Sequence, residues 1–305
     1  MKLLALVLLL SVFSSLTLTE VVNSFKQSCP SFFIRNPHNG SEIIIPTIFP
    51  GHQYKTICQR WKNAYRFATV YDTVRRIPVY SAYKFLHQGQ TKRSDEWKIE
   101  PQLEDIEEYK KKTEMMDSPV KETTVRNIIK QAVNLDYKNC NDNNGIRYTR
   151  GHVFPRSFAA NQDQADSTFT LTNIAPQTQN SNGAWEQQVE TRMINEIKNI
   201  CRVDQNHQVY IVTGVVPGNN WIPITRGGKK YKDGINIPSH FWSAFCCTDR
   251  NNIRKLTSKA YIAELENFRV RTPTIDNLNE RLTKLYNRIF SVFPRLPVGK
   301  IQPLF

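Results

Sequence analysis

The stretch from Tyr148 to Glu190 constrains the fold of this chain more than any other part of the sequence. It gathers an arginine, a histidine, several amide side chains and a carboxylate at short intervals. In an extended segment, residues i and i+2 point to the same face, so Arg150 and His152 can address one substrate together. Gly151 between them permits a close backbone approach or an unusual φ angle. These groups act together only if a strand holds the first part of the stretch.

The second half of the stretch has spacings that are typical of a helix. Apolar residues recur there at close to helical intervals and predict one buried stripe, formed by Trp185, Val189, Met193, Ile197 and Ile200. Asn182 offers a neutral oxygen, which suits a hard cation such as Mg²⁺ that keeps most of its waters. With a helix from Ala184 onward, two turns separate Asn182 from Glu190. Glu190 is therefore expected to hold a metal-bound water rather than to bind the metal directly.

These residue types match the requirements of phosphodiester hydrolysis. That reaction needs a base for water, a cation beside the phosphate, and help for the leaving oxygen. A neutral imidazole, which titrates near pH 6.5 when unperturbed, can be the base. Each part alone is a weak signal, because Arg-Gly-His occurs on ordinary surfaces and Asn-Gly is usually only a turn. Their order and spacing together are more specific, and they predict cleavage of a phosphodiester with one divalent metal.

The motifs in this stretch resemble those of the DNA/RNA non-specific endonucleases, which are His-Me finger (ββα-metal) nucleases. The matching pieces are Tyr-Thr-Arg-Gly-His-Val-Phe-Pro (148–155), Thr-Phe-Thr-Leu-Thr-Asn-Ile-Ala-Pro-Gln (168–177) and Asn-Gly-Ala-Trp (182–185) with Glu190. The likeness extends over residues 55–265 and is greatest to a secreted vertebrate group. It implies an α+β, ββα-metal (His-Me finger) nuclease fold, with a central, mostly antiparallel sheet flanked by helices. The implied substrates are DNA and RNA, and the implied cofactor is Mg²⁺, with Mn²⁺ as the alternative.

The resemblance also implies roles for individual residues. His152 matches the general base of the family. Asn182 matches the asparagine that binds magnesium, because it stands eight residues before Glu190 as the family's asparagine does. Glu190 matches the carboxylate that holds a metal-bound water.

Two arginines and a further asparagine complete the implied site. Arg150 matches the arginine of the motif, and Arg93, which precedes Trp97, matches an upstream arginine that contacts phosphate. Arg93 lies four residues before Trp97, where a closer spacing is common. Asn173 stands where the family has an asparagine that supports the site, and it is predicted with the two arginines to bind substrate.

The sequence departs from the family pattern in two places. Thr149 stands where many members have Asp, so altered support for the site is expected rather than lost chemistry. The interval from Asn182 to Trp185 is one residue shorter than usual, and the interval from Trp185 to Glu190 is one residue longer. Asn180 is therefore a second candidate for the metal ligand.

The N-terminus is typical of a secreted protein. Lys2 is followed by a short apolar run, which predicts a signal peptide over residues 1–22, with cleavage somewhere between Ser15 and Ser24. The run is too short for a comfortable transmembrane helix. The predicted protein is thus secreted and extracellular. Its predicted parts after the signal are an N-terminal extension (23–57), an endonuclease domain (58–268) and a C-terminal amphipathic helix with a tail (269–305).

The cysteines and one sequon fit export. Six cysteines lie outside the predicted signal, and an even number in an exported chain favours disulfides, with fifteen connectivities for three bridges. The adjacent Cys246 and Cys247 are expected to pair with different partners. No cysteine spacing argues for zinc. Asn39-Gly40-Ser41 is a glycosylation sequon.

The net charge of +14 predicts a polyanionic partner. A surplus of Lys and Arg attracts polyanions over long range and gains from counterion release. Simple solubility, heparin-like chains and anionic membranes are the alternatives, and the motifs favour nucleic acid among them. The alternative function is a catalytically weak or inactive secreted protein that binds nucleic acid or another polyanion, which the departures from the family pattern motivate.

Elsewhere the sequence predicts a few regular elements. Residues 64–86 are expected to form two strands around a basic turn, and residues 209–216 a buried strand. Residues 125–137 are a candidate helix. The charged segment 87–125, with Glu104 in an acidic patch, is expected to be solvated.

A C-terminal amphipathic helix is predicted over Leu278 to Phe290. Thr274 is its expected N-cap, and Pro294 is expected to stop it. The helix is expected to pack on the domain. A secreted interaction protein that docks a partner through this helix is the alternative.

Overall fold

A large antiparallel sheet is the centre of the structure, a computed structural model that describes residues 20–37, 39–138, 140–294 and 296. Residues 1–19 of the predicted signal peptide and residues 297–305 of the predicted tail lie outside this range. The strands are β1 (Val21–Val22), β2 (Ile34–Asn36), β3 (Asn39–Ile44), β4 (Tyr54–Trp61), β5 (Ala64–Asp72), β6 (Ile77–Phe85), β7 (Lys98–Ile99), β8 (Met116–Asp117), β9 (Tyr148–His152), β10 (Ile174–Thr178), β11 (Val209–Arg226), β12 (Lys229–Thr248), β13 (Leu256–Glu264) and β14 (Arg269–Arg271).

The helices are short and lie around this sheet. They are α1 (Phe25–Ser28), α2 (Glu107–Lys110), α3 (Glu122–Val125), α4 (Gln162–Ser167), α5 (Gln179–Trp185), α6 (Thr191–Ile200) and α7 (Ile275–Tyr286). A π-turn, Glu186–Glu190, joins α5 to α6. In the described part of the chain, no helix has the length and apolar character that a membrane crossing requires.

Both faces of the large sheet are buried. Within the described residues its strand order is β1-β4-β5-β6-β11-β12-β13-β14, and every neighbouring pair is antiparallel. In β11, Val209 and Ile211 face the core that β9, β10 and α6 share, whereas Val212 faces the core of α7 and the N-terminal segment. The predicted α+β class with an antiparallel sheet flanked by helices is confirmed, as are the strands predicted in 64–86 and 209–216.

The C-terminal helix α7 packs on the sheet as predicted. The Thr274 side chain caps it by accepting a hydrogen bond from the backbone N–H of Asn277, at 3.2 Å. Leu278 and Leu282 are fully buried in the core on that face. The apolar stripe of the helix is thus used within the domain.

The predicted end of this helix is wrong. The helix stops at Tyr286, because Asn287 adopts a left-handed conformation with φ of 53°. The chain then turns back, and Phe290 packs into the core instead of extending the helix toward Pro294.

The helix predicted over residues 125–137 is also wrong. α3 ends at the first of these residues, and the chain is irregular until a 3₁₀ turn close to the end of the segment. The backbone N–H groups of Ile129 and Lys130 donate to the Glu104 carboxylate rather than to helical carbonyls. Glu104 is 1% exposed, so its predicted place in a solvated patch is wrong as well.

The cysteines form fewer disulfides than their number allows. The described residues contain two bridges, Cys29–Cys58 and Cys201–Cys247, and two buried free thiols, Cys140 and Cys246. Successive residues of a strand point to opposite faces, so Cys246 and Cys247 face the two different cores. The prediction that both would be paired is therefore wrong for Cys246.

A pair of buried carboxyl groups joins the N-terminal segment to the residues that precede β10. Glu20 and Glu100 are fully buried, and Glu100 accepts hydrogen bonds from the hydroxyls of Thr170 and Thr172. Burial raises the pKa of Glu20 well above its usual range, and the Glu100 carboxyl adds to the rise. Burial also raises the pKa of Glu100. The folded pair therefore keeps protons that the unfolded chain releases.

Replacing Glu100 by Gln is expected to flatten the pH dependence of stability. Above about pH 4.5 the carboxyls of the unfolded chain ionise, whereas the raised pKa values of the folded pair delay their ionisation to higher pH. The contribution of the pair is therefore present at low pH and lost as the pH rises, by up to about 1.4 kcal/mol per pH unit for each extra proton held. Urea unfolding at several pH values between 5 and 8 measures the slope. Equal slopes for Glu100→Gln and for Glu108→Gln, a control on the exposed side of α2, would contradict the expectation.

Candidate active site

The predicted catalytic motif forms a hairpin that leads directly into a helix. Strands β9 and β10 pair antiparallel, with His152 opposite Ile174 and Tyr148 opposite Thr178. Thr178 then caps α5, because its hydroxyl accepts a hydrogen bond from the backbone N–H of Ser181 at 3.2 Å. The structure therefore has the two-strand-plus-helix arrangement that the ββα-metal resemblance implied.

Gly151 is needed for close packing and not for an unusual φ angle. A Cβ at this position would lie 2.1 Å from the Oε1 atom of Gln177 and 2.9 Å from the carbonyl oxygen of Ala175. Any side chain would push β9 away from β10. Arg150 and His152, on either side of the glycine, would move with the strand.

Asn173 fixes this hairpin to the large sheet. Its Oδ1 accepts hydrogen bonds from the backbone N–H of Phe154 at 2.9 Å and from the hydroxyl of Ser81, in β6, at 3.0 Å. Its Nδ2 donates to the carbonyl oxygens of Phe154 and Thr168, both at 3.0 Å. Asn173 is fully buried and cannot contact a substrate. Its expected substrate-binding role is therefore corrected to one of support.

His152 lies half-buried between two aromatic rings. Its imidazole is edge-to-face with Phe169, at 5.0 Å between ring centroids, and lies 5.7 Å from Trp97. Its Nε2 is buried and has no hydrogen-bond partner in the described structure. An orphaned nitrogen of this kind is free to accept a proton from a molecule bound beside it.

Three arginines surround this histidine. The pKa of His152 is lowered to about 3, chiefly by burial and then by positive charge. The charges that lower this pKa belong to Arg93, Arg156 and Arg150, in decreasing order. Arg93 is largely exposed, and Arg156 is held by a 2.7 Å bond from its Nη1 to a backbone carbonyl. The sequence reasoning missed Arg156, although it lies four residues after the histidine.

Arg150 is fixed in place on the same face of β9 as His152. Its guanidinium lies 4.7 Å from the ring centroid of Trp97 and 5.3 Å from that of Tyr137. Its Nη2 donates to the Oδ1 of Asn134 at 2.5 Å and to the carbonyl oxygen of that residue at 3.2 Å. Trp97 therefore touches both predicted catalytic groups of the motif.

A buried ion pair holds the turn that supports Arg150. Arg226 donates to both carboxylate oxygens of Asp136, at 2.6 and 2.7 Å, and to the carbonyl oxygen of Ile128 at 2.7 Å. Asp136 belongs to the 3₁₀ turn Asn134–Tyr137, which supplies both hydrogen-bond acceptors and one of the two aromatic rings that contact Arg150. No local sequence signal links Arg226 to the motif, because the ion pair spans ninety residues.

Thr149 orients the predicted metal ligand. Its hydroxyl donates to the carbonyl oxygen of Gln177 at 3.0 Å and accepts from the Nδ2 of Asn182 at 3.3 Å. The Oδ1 of Asn182 receives no hydrogen bond from the described residues, so it is available to a ligand. Asn180 is exposed on α5 and makes no comparable contact with β9. This geometry favours Asn182 over Asn180.

The π-turn places Glu190. Two α-helical turns take about 7.2 residues, so a residue eight positions after Asn182 would overshoot its face of a regular helix. The wider i→i+5 turn at Glu186–Glu190 absorbs nearly one more residue and turns Glu190 back toward the Asn182 face. The turn falls in the interval after Trp185, which is one residue longer than the family pattern.

Glu190 is a carboxylate without a cationic partner among the described residues. Burial raises its pKa to about 8, and the negative charge of Glu186 adds to the rise. Among the described residues, its hydrogen-bond donor is the hydroxyl of Ser157, at 3.4 Å. The sequence reasoning missed Ser157, which lies on the 3₁₀ turn directly after the motif.

The oxygen donors of this site suit a hard cation that keeps most of its water. They are the amide oxygen of Asn182 and the carboxyl of Glu190, whose pKa is raised because it has lost water and has no cation beside it. Mg²⁺ is usually bound through one or two such groups and retains several waters. In the described ranges, no cluster of three or more His, Cys, Asp or Glu side chains forms a cage for a metal. The residues present therefore fit Mg²⁺, and equally Mn²⁺.

Comparisons with known proteins give relatives over most of the chain. A family model described as DNA/RNA non-specific endonuclease matches residues 49–288. Two curated relatives, both named endonuclease domain-containing 1 protein, are 34% identical over 196 residues (Homo sapiens) and 31% identical over 192 residues (Mus musculus). Each match covers 63% of this chain and 34% of the relative, so the match spans about a third of the relatives' length. The vertebrate likeness predicted from the motifs is confirmed.

A solved structure is also similar. It is described as the crystal structure of the EndoG/EndoGI complex, with a TM-score of 0.45 and 19% sequence identity. The similarity covers 78% of this chain and 86% of that chain.

The imidazole of His152 is expected to stay neutral far below its usual titration range. In the metal-free protein without nucleic acid, its pKa is lowered to about 3. NMR of the ring carbons between pH 4 and 8, assigned by the resonances lost in His152→Gln, measures this. The urea-unfolded chain is the control, since its histidines titrate near 6.5. A folded-state midpoint near 6.5 would contradict the expectation and would mean that the ring is solvated.

Proposed function

Because the chain belongs to the DNA/RNA non-specific endonuclease family, we propose that it is a secreted endonuclease that hydrolyses DNA and RNA phosphodiesters with little sequence preference. The proposal includes a single Mg²⁺, with Mn²⁺ as the alternative, and His152 as the general base. One observation carries it: the unpartnered Nε2 of His152 lies beside three arginines. The whole activity is a proposal, because the match spans about a third of the curated relatives' length.

His152 is the proposed base, and its charge environment supports this role. Since its pKa is lowered to about 3, the free enzyme carries the neutral imidazole that a base requires. A bound phosphodiester would bring negative charge among the arginines and offset their effect. The pKa of the imidazole would then rise, which makes it a stronger base when substrate is in place.

The proposed reaction is an in-line displacement at phosphorus. The Nε2 of His152 takes a proton from water, the water oxygen bonds to phosphorus, and the bond from phosphorus to the 3′ oxygen breaks. The products are a 5′-phosphate and a 3′ oxygen that takes a proton from solvent, and the imidazolium then returns its proton to solvent. Arg150, preorganised by its aromatic and amide partners, steadies the negative charge that builds on the phosphate oxygens. Arg93 and Arg156 are proposed to hold the phosphate from the exposed side.

Asn182 and Glu190 are the residues proposed to hold the metal. Asn182 would bind it through Oδ1, and Glu190 would order its water ligands. When bound, Mg²⁺ supplies positive charge that neutralises the phosphate and the leaving oxygen. Thr149 keeps the amide of Asn182 turned so that its oxygen is free.

The departures from the family pattern now give less support to the non-catalytic alternative. Thr149 makes contacts that support the site, and the π-turn absorbs the extra residue before Glu190. The apolar stripe of α7 is buried in its own domain, which gives no support to docking of a partner. Nuclease activity is the function that the geometry supports best.

The protein is proposed to be secreted into the extracellular space. Two disulfides lie in the described residues, and disulfides persist in oxidising compartments. The Asn39 sequon is exposed, so glycosylation there is part of the proposal. The domain division at residues 57/58 and 268/269 also stays a proposal.

The secreted chain is expected to begin at or before Glu20. Val21 pairs with Ile57 in the sheet, and the buried Glu20 carboxyl lies beside Glu100, so cleavage after Val22 would remove both contacts. N-terminal sequencing of the protein from the culture medium of transfected cells tests this. A chain that starts beyond Val22, or that stays within the cells, would contradict the expectation.

Replacing His152 by Ala is expected to lower the rate of plasmid and RNA cleavage about 10²- to 10⁴-fold, since the general base is lost. Plasmid binding should persist, because the arginines remain. Rates are measured with Mg²⁺, with Mn²⁺ and with EDTA, which is expected to stop cleavage. His52→Ala, at an exposed histidine, is the matched control. Tight plasmid binding by the wild type with no cleavage under either metal would favour the polyanion-binding alternative.

A further inference from the structure

A second cleft lies beside the candidate site, at the C-terminal end of α6. It has a volume of about 580 Å³ and is lined on its polar side by His87, Gln88, Lys198, Arg202 and Arg250. We call it the Lys198 cleft. The residues proposed for catalysis do not line it. Its function is thus not explained by the reaction itself.

The Lys198 cleft is basic and its cations are held in position. The Nζ of Lys198 donates to the Oε1 of Gln88 at 3.0 Å, and the Nη1 of Arg250 donates to the carbonyl oxygen of Lys198 at 2.6 Å. Arg202 is paired with Asp204 at 2.9 Å, but Asp204 does not line the cleft. None of the described lining residues is acidic. The cleft therefore suits an anion.

Gln88 connects the Lys198 cleft to the candidate active site. Its Nε2 donates to the carbonyl oxygen of Ser157 at 3.4 Å, and the Ser157 hydroxyl donates to Glu190 at 3.4 Å. A polynucleotide carries a phosphate at every nucleotide, about 3.4 Å apart along the axis of a duplex strand. Because Gln88 and Ser157 link Lys198 to Glu190, a strand that is cut at His152 has another of its phosphates available for the Lys198 cleft.

The lining of the cleft favours contact with the backbone rather than with bases. Its lining has no exposed Phe, Tyr or Trp, since Phe85 is buried, and the imidazole of His87 is its one exposed ring. Stacking platforms are what single-stranded bases require for tight contact. Cations without aromatic faces recognise phosphates irrespective of sequence.

We propose that the Lys198 cleft binds the phosphate backbone of the substrate strand at a distance from the cut, so that the enzyme favours polynucleotides over very short fragments. This inference rests on the proposed nuclease function for its substrate class. The cleft binds phosphodiester groups by charge, and its contribution increases with substrate length until the strand spans both sites.

The test removes two charges of the cleft and compares long with short substrates. The variant is Lys198→Gln with Arg202→Gln. Its matched control is Lys284→Gln with Arg271→Gln, which removes the same two charge types at exposed positions. Lys284 lies on α7, on the opposite face of the sheet. Thermal unfolding of all proteins confirms that the folds are equal.

Two measured quantities are expected to decrease in the cleft variant and to stay unchanged in the control variant. The ratio of kcat/KM for a 30-nucleotide strand to that for a dinucleotide should fall about two- to thirtyfold, which corresponds to roughly 0.2–1 kcal/mol for each of the two cations. In a His152→Ala background, the slope of log Kd for the 30-mer against log salt should fall by about 1.4, since each contact to single strands contributes about 0.7. The control variant should change neither readout.

Equal effects of the two double variants would overturn the proposal, because the cleft would then act only through net charge. A wild-type affinity that stops rising beyond the dinucleotide would overturn it as well. Failure of the proposed function is distinguishable, since the binding slope is measured without catalysis. If the wild type cleaves nothing but the slope still falls in the cleft variant, the cleft stands and the nuclease proposal fails.

Discussion

The hydrogen bonds of Asn173 are the constraint on which the site depends. A buried amide that loses a partner costs about 1–3 kcal/mol, so its four bonds hold the hairpin to the sheet in one register. Ser81 contributes from the large sheet, and Phe154 contributes from just after the motif. His152 is two residues from Phe154, so the hydrogen bonds of Asn173 also fix the position of His152 relative to the sheet. A two-stranded hairpin is only marginally stable alone, and its attachment to the large antiparallel sheet holds it in one conformation.

The electrostatics of the site follow from burial combined with a surplus of one charge. Phe169 and Trp97 remove water from around His152, and three arginines lie close enough to oppose its protonation. On the other side, the half-buried Glu190 has no cationic partner among the described residues. Among the described residues, Arg150 and Arg156 thus have no carboxylate partner, Arg93 has only the exposed Asp95 at 3.8 Å, and the Glu190 carboxyl has no cation beside it. Such a separation is costly unless a substrate and a metal complete both halves, which is a general property of functional sites.

Each of the two departures from the family pattern, at Thr149 and in the interval before Glu190, has a matching local feature in the structure. Thr149 replaces an acidic residue, and its hydroxyl both anchors to β10 and turns the amide of Asn182. The longer interval before Glu190 coincides with a π-turn, which is how a helix accepts one extra residue without losing its buried stripe. Trp185 and Val189 remain fully buried on either side of the adjustment. Local changes in sequence were thus absorbed by local changes in hydrogen bonding.

The sequence alone determined what is local. It predicted the two strands in residues 64–86, the helix stripe, the Thr274 cap and the residue types of the site, because each depends on alternation, periodicity or short spacing. The prediction of a helix over residues 125–137 was wrong because it depends on a distant residue. The Glu104 carboxylate accepts hydrogen bonds from backbone N–H groups that such a helix would have bonded internally.

Tertiary structure alone decided the surroundings of those local elements. It separated Cys246 from Cys247 by strand alternation, buried Asn173, and brought Arg226, through Asp136, to the turn behind Arg150. The physical reason is that burial and pairing depend on which surfaces meet. A contact between residues ninety positions apart produces no local pattern in the sequence. The residues of a motif lie close together and can be recognised from their types and spacing.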